Sequence, residues 1–411
     1  MVKTSCRTAF LGLAAGLLPA LLLLTACSAG GGGFLSGSRA APDIPKEPGG
    51  DMPFDDMSFH DATAPFDDAP VYHVPTKEIG ESNDISLKDI FVPSAKDGRT
   101  AAILALIDSD RLLMQVDASD DASHPGSPWS DLYLYSISAQ TWDGPLNANK
   151  NLLYLPLYAD TDCVIAETTT EPMVWRDGTL VFIDLASKSE KIIFEYDKGD
   201  GNLTGTHPNS IAVFEGRIYF DDFVPGNTAS ALYVYDIATE TVDTVTQDAM
   251  NPIVFRNQVW YFSPDENGEY RILTTGNRSE VLKNDFQIGQ LGVSGDLLFT
   301  TRGMGKDAAL GTSLVGIFEW NADKPLLESR KGNIIFGLQV SDLFVAWETS
   351  MPHQAPCVYD VSENVILEFH DFPFSDGTFW LCEETGLVSL KEVTADGTLT
   401  GRERHGLFTK K

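Results

Sequence analysis

Arg217-Ile218-Tyr219-Phe220-Asp221, a gap, then Ala231-Leu232-Tyr233-Val234-Tyr235-Asp236-Ile237, the turn Ala238-Thr239-Glu240, and Thr241-Val242-Asp243-Thr244-Val245 make the most legible stretch of this chain. Aromatic and β-branched residues fill the first two runs and suit a pleated, half-buried surface. The third run is more polar, as an outer strand should be. A further short run, Ser210-Ile211-Ala212-Val213-Phe214, precedes them and reads as an inner strand. Four antiparallel strands in about forty residues, with almost no helical periodicity, make an all-β unit.

The same grammar recurs along the chain. Arg111–Val116 precedes Asp131–Ile137, Cys163–Ala166 precedes Thr179–Leu185, and Gln258–Phe262 precedes Tyr270–Leu273. Asp296–Thr300, Leu343–Trp347 and Thr378–Cys382 open three more pairs. The first strands of the seven units begin at 111, 163, 217, 258, 296, 343 and 378, a mean spacing of about 45, the size of a four-stranded propeller blade. A lone blade cannot bury both faces, so the units must stack around an axis. The strand and turn pattern of Leu232–Val245 resembles that of bacterial β-propellers in which a "YVYD…T" strand is followed by a polar one, without a strict signature such as the WD dipeptide. The resemblance spans residues 86–411 and implies a propeller of about seven four-stranded blades. The uneven spacing leaves six or eight open, and a pair of two-sheet sandwiches is the competing architecture. Asp89-Ile90-Phe91-Val92-Pro93 is a candidate for completing the last blade and joining the two ends of the domain. Trp260, Trp347 and Trp380 fall in the same strand of different units and so read as inter-blade core.

The amino terminus has the three parts of an export signal. Lys3 and Arg7 supply the positive start, and Phe10–Leu24 is an apolar stretch. Its fifteen residues make about 22 Å of helix, short of the roughly 30 Å that spanning requires. Length and flanks favour a removable signal over residues 1–26. Leu24-Thr25-Ala26-Cys27 resembles the lipobox of bacterial lipoproteins at all four positions. That resemblance implies a thioether-linked diacylglycerol on Cys27, cleavage before it, and a chain held by lipid on the outer face of a bacterial membrane. The run Ser28–Gly33 then serves as a flexible tether, and residues 27–85, rich in Gly, Pro and Asp, read as a disordered linker.

The formal charge of the whole chain is −30, and −32 once Lys3 and Arg7 are removed. Nucleic acid is excluded as a partner, because phosphate binding needs clustered Lys and Arg. Electrostatic adhesion to anionic lipid is disfavoured too, which leaves the lipid on Cys27 to hold the membrane. Of the five cysteines, Cys163, Cys357 and Cys382 belong to the repeats. They have no CxxC spacing and read as buried unpaired thiols, with a Cys357–Cys382 pairing as the alternative.

Catalytic signatures are scarce. The sequence has no GxSxG, HExxH or Walker loop, and Gly303-Met304-Gly305 does not extend to GxGxxG. His207, in a loop before an inner strand, and Trp129 and Trp175, in loops between strands, are the candidate ligand contacts. Asp197–Asn202 and Asp265–Gly268 offer closely spaced oxygens of the kind calcium takes, but no bidentate Glu follows as in an EF-hand. No other metal or cofactor is signalled. Two functional readings follow. The first is a tethered propeller that binds a protein, peptide or glycan of the envelope; nothing in the sequence requires catalysis. The second is an extracellular carbohydrate-active enzyme, a glycoside hydrolase or lyase with paired carboxylates at the axis.

Overall fold

The computed structural model describes residues 8–9, 71–81, 84–117, 130–149, 152–169, 178–196, 210–222, 230–264, 270–275, 279–281, 288–306, 313–320, 322–328, 335–349, 356–369, 375–394 and 399–411. Apart from one 3-10 turn at Ile79–Glu81, the regular elements are strands, gathered into seven antiparallel meanders. Blade one runs Arg99–Leu106, Arg111–Asp117, Ser130–Ser136 and Thr141–Asp143, with the short strand Ala95–Lys96 on its inner side. Blade two runs Leu153–Ala159, Cys163–Thr169, Thr179–Asp184 and Ser189–Glu195. Blade three is Ile211–Phe214, Arg217–Asp221, Leu232–Asp236 and Thr241–Thr246, as its sequence announces. Blade four covers Met250–Phe255 to Ser279–Val281, blade five Ile288–Ser294 to Leu327–Glu328, and blade six Ile335–Val340 to Val365–Glu368. Blade seven has Ser375–Cys382, Thr385–Val393 and Leu399–Lys410 from the carboxyl end, and Ile85–Ile90 from the amino end.

The core makes the blade count independent of strand spacing. Buried side chains fall into seven clusters, each made by two neighbouring blades. Leu112 and Met114 of blade one meet Trp380 and Leu387 of blade seven, and Phe344 and Phe369 of blade six meet Phe379 and Phe408 of blade seven. The remaining clusters join one to two, two to three, three to four, four to five and five to six. Seven interfaces for seven blades is a closed ring. Both faces of every sheet are thereby covered, which a single blade cannot achieve.

Closure uses a strand from the far end of the chain. Ile85–Ile90 adds antiparallel to the last strand, from Ile85 opposite Lys410 to Ile90 opposite His405. Arg404 Nη2 stands 2.6 Å from Asp89 Oδ1, and Lys411 N donates to Asp84 O at 2.8 Å. The sequence places this strand at 89–93, a few residues late.

Two features differ from the sequence reading. The unit assumed to begin at Thr378 is out of phase: in six blades the assumed first strand is the second, but Ser375–Cys382 is itself the inner strand of blade seven. Trp380 therefore sits on an inner strand, whereas Trp260 and Trp347 sit on second strands; all three are buried. The second difference is the stretch 71–81, which composition gives to the linker. Val71–Tyr72 pairs with Leu327–Glu328 on the outer edge of blade five. Thr76–Glu78 then pairs, in parallel, with Ile366–Glu368 on the outer edge of blade six. Pro75, between the two strands, interrupts no donor the ladder needs.

The recurrent Tyr-Asp step has a local cause. Asp236 Oδ1 accepts the amides of Ala238 and Thr239 at 3.0 Å, and Asp360 Oδ1 accepts those of Ser362 and Glu363 at 3.0 and 3.1 Å. Each carboxylate thus folds the turn into the fourth strand. The Thr239 amide, with the Arg217 guanidinium, holds the Asp236 carboxyl below the usual range. In blades one, two, three and six the residue just before the fourth strand is left-handed, with φ of 52° at Gln140, 55° at Lys188, 57° at Glu240 and 54° at Asn364.

Candidate functional site

In blades three to seven the inner strand stands at the end of its sheet, so one row of its backbone N–H and C=O groups faces the axis and not another strand of the blade. The inner strands of blades two to seven enclose an axial cavity of about 360 Å³. Its wall is apolar in side chains, with Ala212, Val213, Ile253, Val293, Leu338 and Val340 among them. Gly292 lets blades five and six approach here, because a Cβ on it would lie 2.1 Å from Val340 Cγ2. Gly292→Ala is expected to destabilise the fold by about 1–3 kcal/mol, the usual cost of overpacking. Val340→Ala in the same chain should recover most of that loss in urea melts; no recovery would mean that the clash is relieved elsewhere.

Charge is confined to the cavity's ends. The turns from inner to second strand define one mouth, where Asp296, Asp342 and Glu383 lie beside Arg256 and Asn257. Partial burial, with the nearby charges of Asp342, Glu384 and Asp108, raises the Glu383 carboxyl above its ordinary value. Asp108 and Asp160 are engaged in folding their turns, each accepting two backbone amides at 2.8 Å.

The opposite mouth carries the loops between second and third strands and those leading to the next blade. Between blades two and three it holds a buried acidic group. Glu167, near the end of Cys163–Thr169, is 3% exposed, and its Oε1 has no hydrogen-bond partner among the described residues. Gly178 makes room for it, since a Cβ there would lie 2.7 Å from Oε1. Burial pushes the Glu167 carboxyl up to about 8. Tyr196 is buried beside it, its phenol raised first by burial and then by the charges of Glu167, Asp221 and Asp222. The Tyr196 hydroxyl donates to Asp221 O at 3.4 Å, and Asp221 Oδ2 accepts the Asn251 amide at 2.7 Å. Asp222 accepts the Tyr233 hydroxyl at 3.1 Å.

Cys27, Trp129, Trp175 and His207 all lie outside the described residues, as do the two acidic loops at 197–202 and 265–268. In the chain Trp129 precedes Ser130, Trp175 comes shortly before Gly178, and His207 shortly before Ser210. Those three described positions open strands at the mouth where Glu167 sits. Among the described residues no group of three or more His, Cys, Asp or Glu side chains is placed to hold a metal ion. Cys163 and Cys357 are free and buried, so Cys357 is not paired with Cys382. Cys382 is disulfide-bonded with a partner outside the described residues, so two of the three expected free thiols are seen.

The sequence reading missed Glu167, Tyr196 and Asp221. The signal was present: an acid interrupts the apolar run Cys163–Ala166 where a half-buried strand should continue, and a glycine precedes the facing strand.

No protein-family model matches the sequence, and no curated protein matches it. Solved structures similar to the chain include an oligogalacturonate lyase in complex with manganese, at 12% identity and a TM-score of 0.47 over 82% of this chain and 98% of that one. The β-propeller domain of the Trilobed protease from Pyrococcus furiosus is similar at 11% identity and a TM-score of 0.43, over 71% of this chain and 90% of that one. TolB from Acinetobacter baumannii is similar at 13% identity and a TM-score of 0.38, over 76% and 80% of the two chains.

Proposed function

We propose that the chain is a lipoprotein of the bacterial envelope, anchored outside the cytoplasm through lipid on Cys27, whose propeller binds an envelope or extracellular ligand as a recognition module. The observation that carries binding over catalysis is the axis. Hydrolysis of a glycoside needs two carboxyl groups about 5–10 Å apart across the substrate. Among the described residues the wall of the cavity is apolar, and its carboxylates stand at the rim, where Arg256 also lies. An apolar cleft with a few polar groups at its mouth is the usual form of a binding site. The anchor rests on the export signal and on Leu24-Thr25-Ala26-Cys27. Two or more acyl chains suffice for stable attachment, each buried methylene contributing about 0.8 kcal/mol.

Cys27→Ser tests the anchor. Wild-type protein is expected in the membrane fraction and labelled by radioactive palmitate. The variant should be unlabelled and either released to the soluble fraction or left with its signal uncleaved. Continued lipid labelling of the variant would refute the assignment. The same reading fixes the thiol count. Removal of residues 1–26 and alkylation of Cys27 leave Cys382 with no cysteine to pair with except the two buried free ones, so denatured mature protein should titrate three thiols.

A further inference from the structure

One mouth of the axial cavity is acidic nearly all the way round. The turn from inner to second strand carries an acid in every blade but the fourth: Asp108, Asp160, Glu215, Asp296, Asp342 and Glu383 in chain order. Blade four has Arg256 there, and its guanidinium lies 4.7 Å from the centroid of Phe255, a ring packed between blades four and five and not part of the cavity wall. Arg111 and Arg217, which follow two of the turns, are held by Asp108 and Asp236 at 2.7 and 3.3 Å. The charges that act on Glu383 are those of Asp342, Glu384 and Asp108, all of its own sign. The rim is also fixed in place. Gly295-Asp296 joins the paired residues Ser294 and Leu297, and Glu383-Glu384 joins Cys382 and Thr385, so two-residue turns hold both acids and little ordering is left to binding. Behind the rim stands an apolar wall around about 360 Å³, enough for a small ligand. The far end offers no charge: Ser210 and Asn251 line it, and the Ser210 hydroxyl is already given to Pro252 O at 2.9 Å.

We infer that the axial cavity takes a small organic cation, a primary ammonium borne on a compact apolar body, with the ammonium at the rim that bears Asp296 and Glu383 and the body against Val293, Leu338 and Val340. This rests on the binding reading above and gives its ligand a class. Burial of the body supplies the affinity, and the rim chooses the sign. A cleft of one charge with low-dielectric walls focuses its field on the opening, so the cation is also drawn in faster than a neutral molecule. An anion of the same shape meets carboxylates at the entrance. A diamine would have to leave its second charge against the apolar wall or beside uncharged Ser210 and Asn251, where nothing offsets the lost water.

The test uses the chain purified from its host in its processed form, in a nonionic detergent. Amantadine and adamantane carboxylate share one compact apolar body and differ in the sign of its charge, and methylammonium has the charge without the body. Isothermal titration calorimetry is expected to show saturable binding of amantadine that weakens as salt is raised, with the other two at least about tenfold weaker. Asp296→Asn combined with Glu383→Gln should weaken amantadine by at least about tenfold, the scale of a lost charged partner, and leave adamantane carboxylate no weaker than before. Val293→Trp, which fills the cavity, should weaken amantadine to a similar degree. The two acids stand on exposed turns, so their double variant remains decisive if Val293→Trp does not fold. Unchanged amantadine affinity in the double variant overturns the inference. Equal affinity for amantadine and adamantane carboxylate overturns it too, while the binding reading of the axis stands. No saturable binding of any of the three by folded protein overturns both.

Discussion

Phe408→Ala is expected to lower the unfolding free energy by about 3–5 kcal/mol, the range seen for large aromatic truncations in closed cores. Phe408 is fully buried between blades six and seven. Its ring centroid lies 5.2 Å from that of Phe344, 5.5 Å from Phe369 and 6.5 Å from Phe379. The ring also covers Gly386, where a Cβ would come within 2.0 Å of it, so on that side there is no side chain to fill the space. Phe408 is paired in the sheet with Leu87 of the closing strand, so the lost packing weakens the point where the two ends of the chain meet. Set against the roughly 5–15 kcal/mol by which domains are stable, this is a large share. Urea unfolding followed by tryptophan fluorescence measures it. A loss under about 1 kcal/mol would mean that the three remaining rings collapse into the gap.

Glu167→Gln is expected to change how stability depends on pH. Unfolded, the carboxyl titrates near its ordinary value of 4.5; folded, burial holds it at about 8. The folded state thus binds the proton more tightly. The stabilisation from that proton is fully present below 4.5 and is lost as pH rises through 8. The slope is at most about 1.4 kcal/mol per pH unit, so up to about 5 kcal/mol disappears across the window. Gln keeps the shape and cannot ionise. The variant should match the wild type at pH 5 and exceed it by several kcal/mol at pH 9. Urea melts of both proteins at pH 5, 7 and 9 give the difference, in which other titrating groups cancel. Parallel curves would mean that the ionised Glu167 finds a partner or water.

The propeller was legible because its outer turns repeat a local chemistry. A Tyr-Asp step ending a β run names both the strand and the carboxylate that folds the next turn, and that pattern survives uneven loops. Blade seven was read out of phase for an equally local reason. Its inner strand carries Phe379 and Trp380, and aromatic content had been the marker of second strands. The strands at 71–78 were hidden, because two or three residues between prolines carry no periodicity and owe their form to the edges they meet. Glu167 and Tyr196 were illegible as a pair. They stand on the second strand of blade two and just past its fourth, and only the folded sheet and its neighbour bring them beside Asp221.

The strand that closes the ring also sets the order in which the molecule can be finished. Asp89 and Arg404, joined across that seam, are 315 positions apart. Ile85–Ile90 leaves the ribosome or the export pore among the first strands, and its partner leaves last. Contacts this distant in sequence form late and slowly, after the loop-closure entropy of the whole domain has been met. Until then blade seven lacks its outer strand, and Ile85–Ile90 is a free strand seeking an edge. A second copy at the same stage offers the matching pair, so crowded synthesis favours exchanged dimers in which each chain completes its neighbour's last blade. The seam that leaves the mature ring without an open inter-blade gap is, during assembly, its most exposed point.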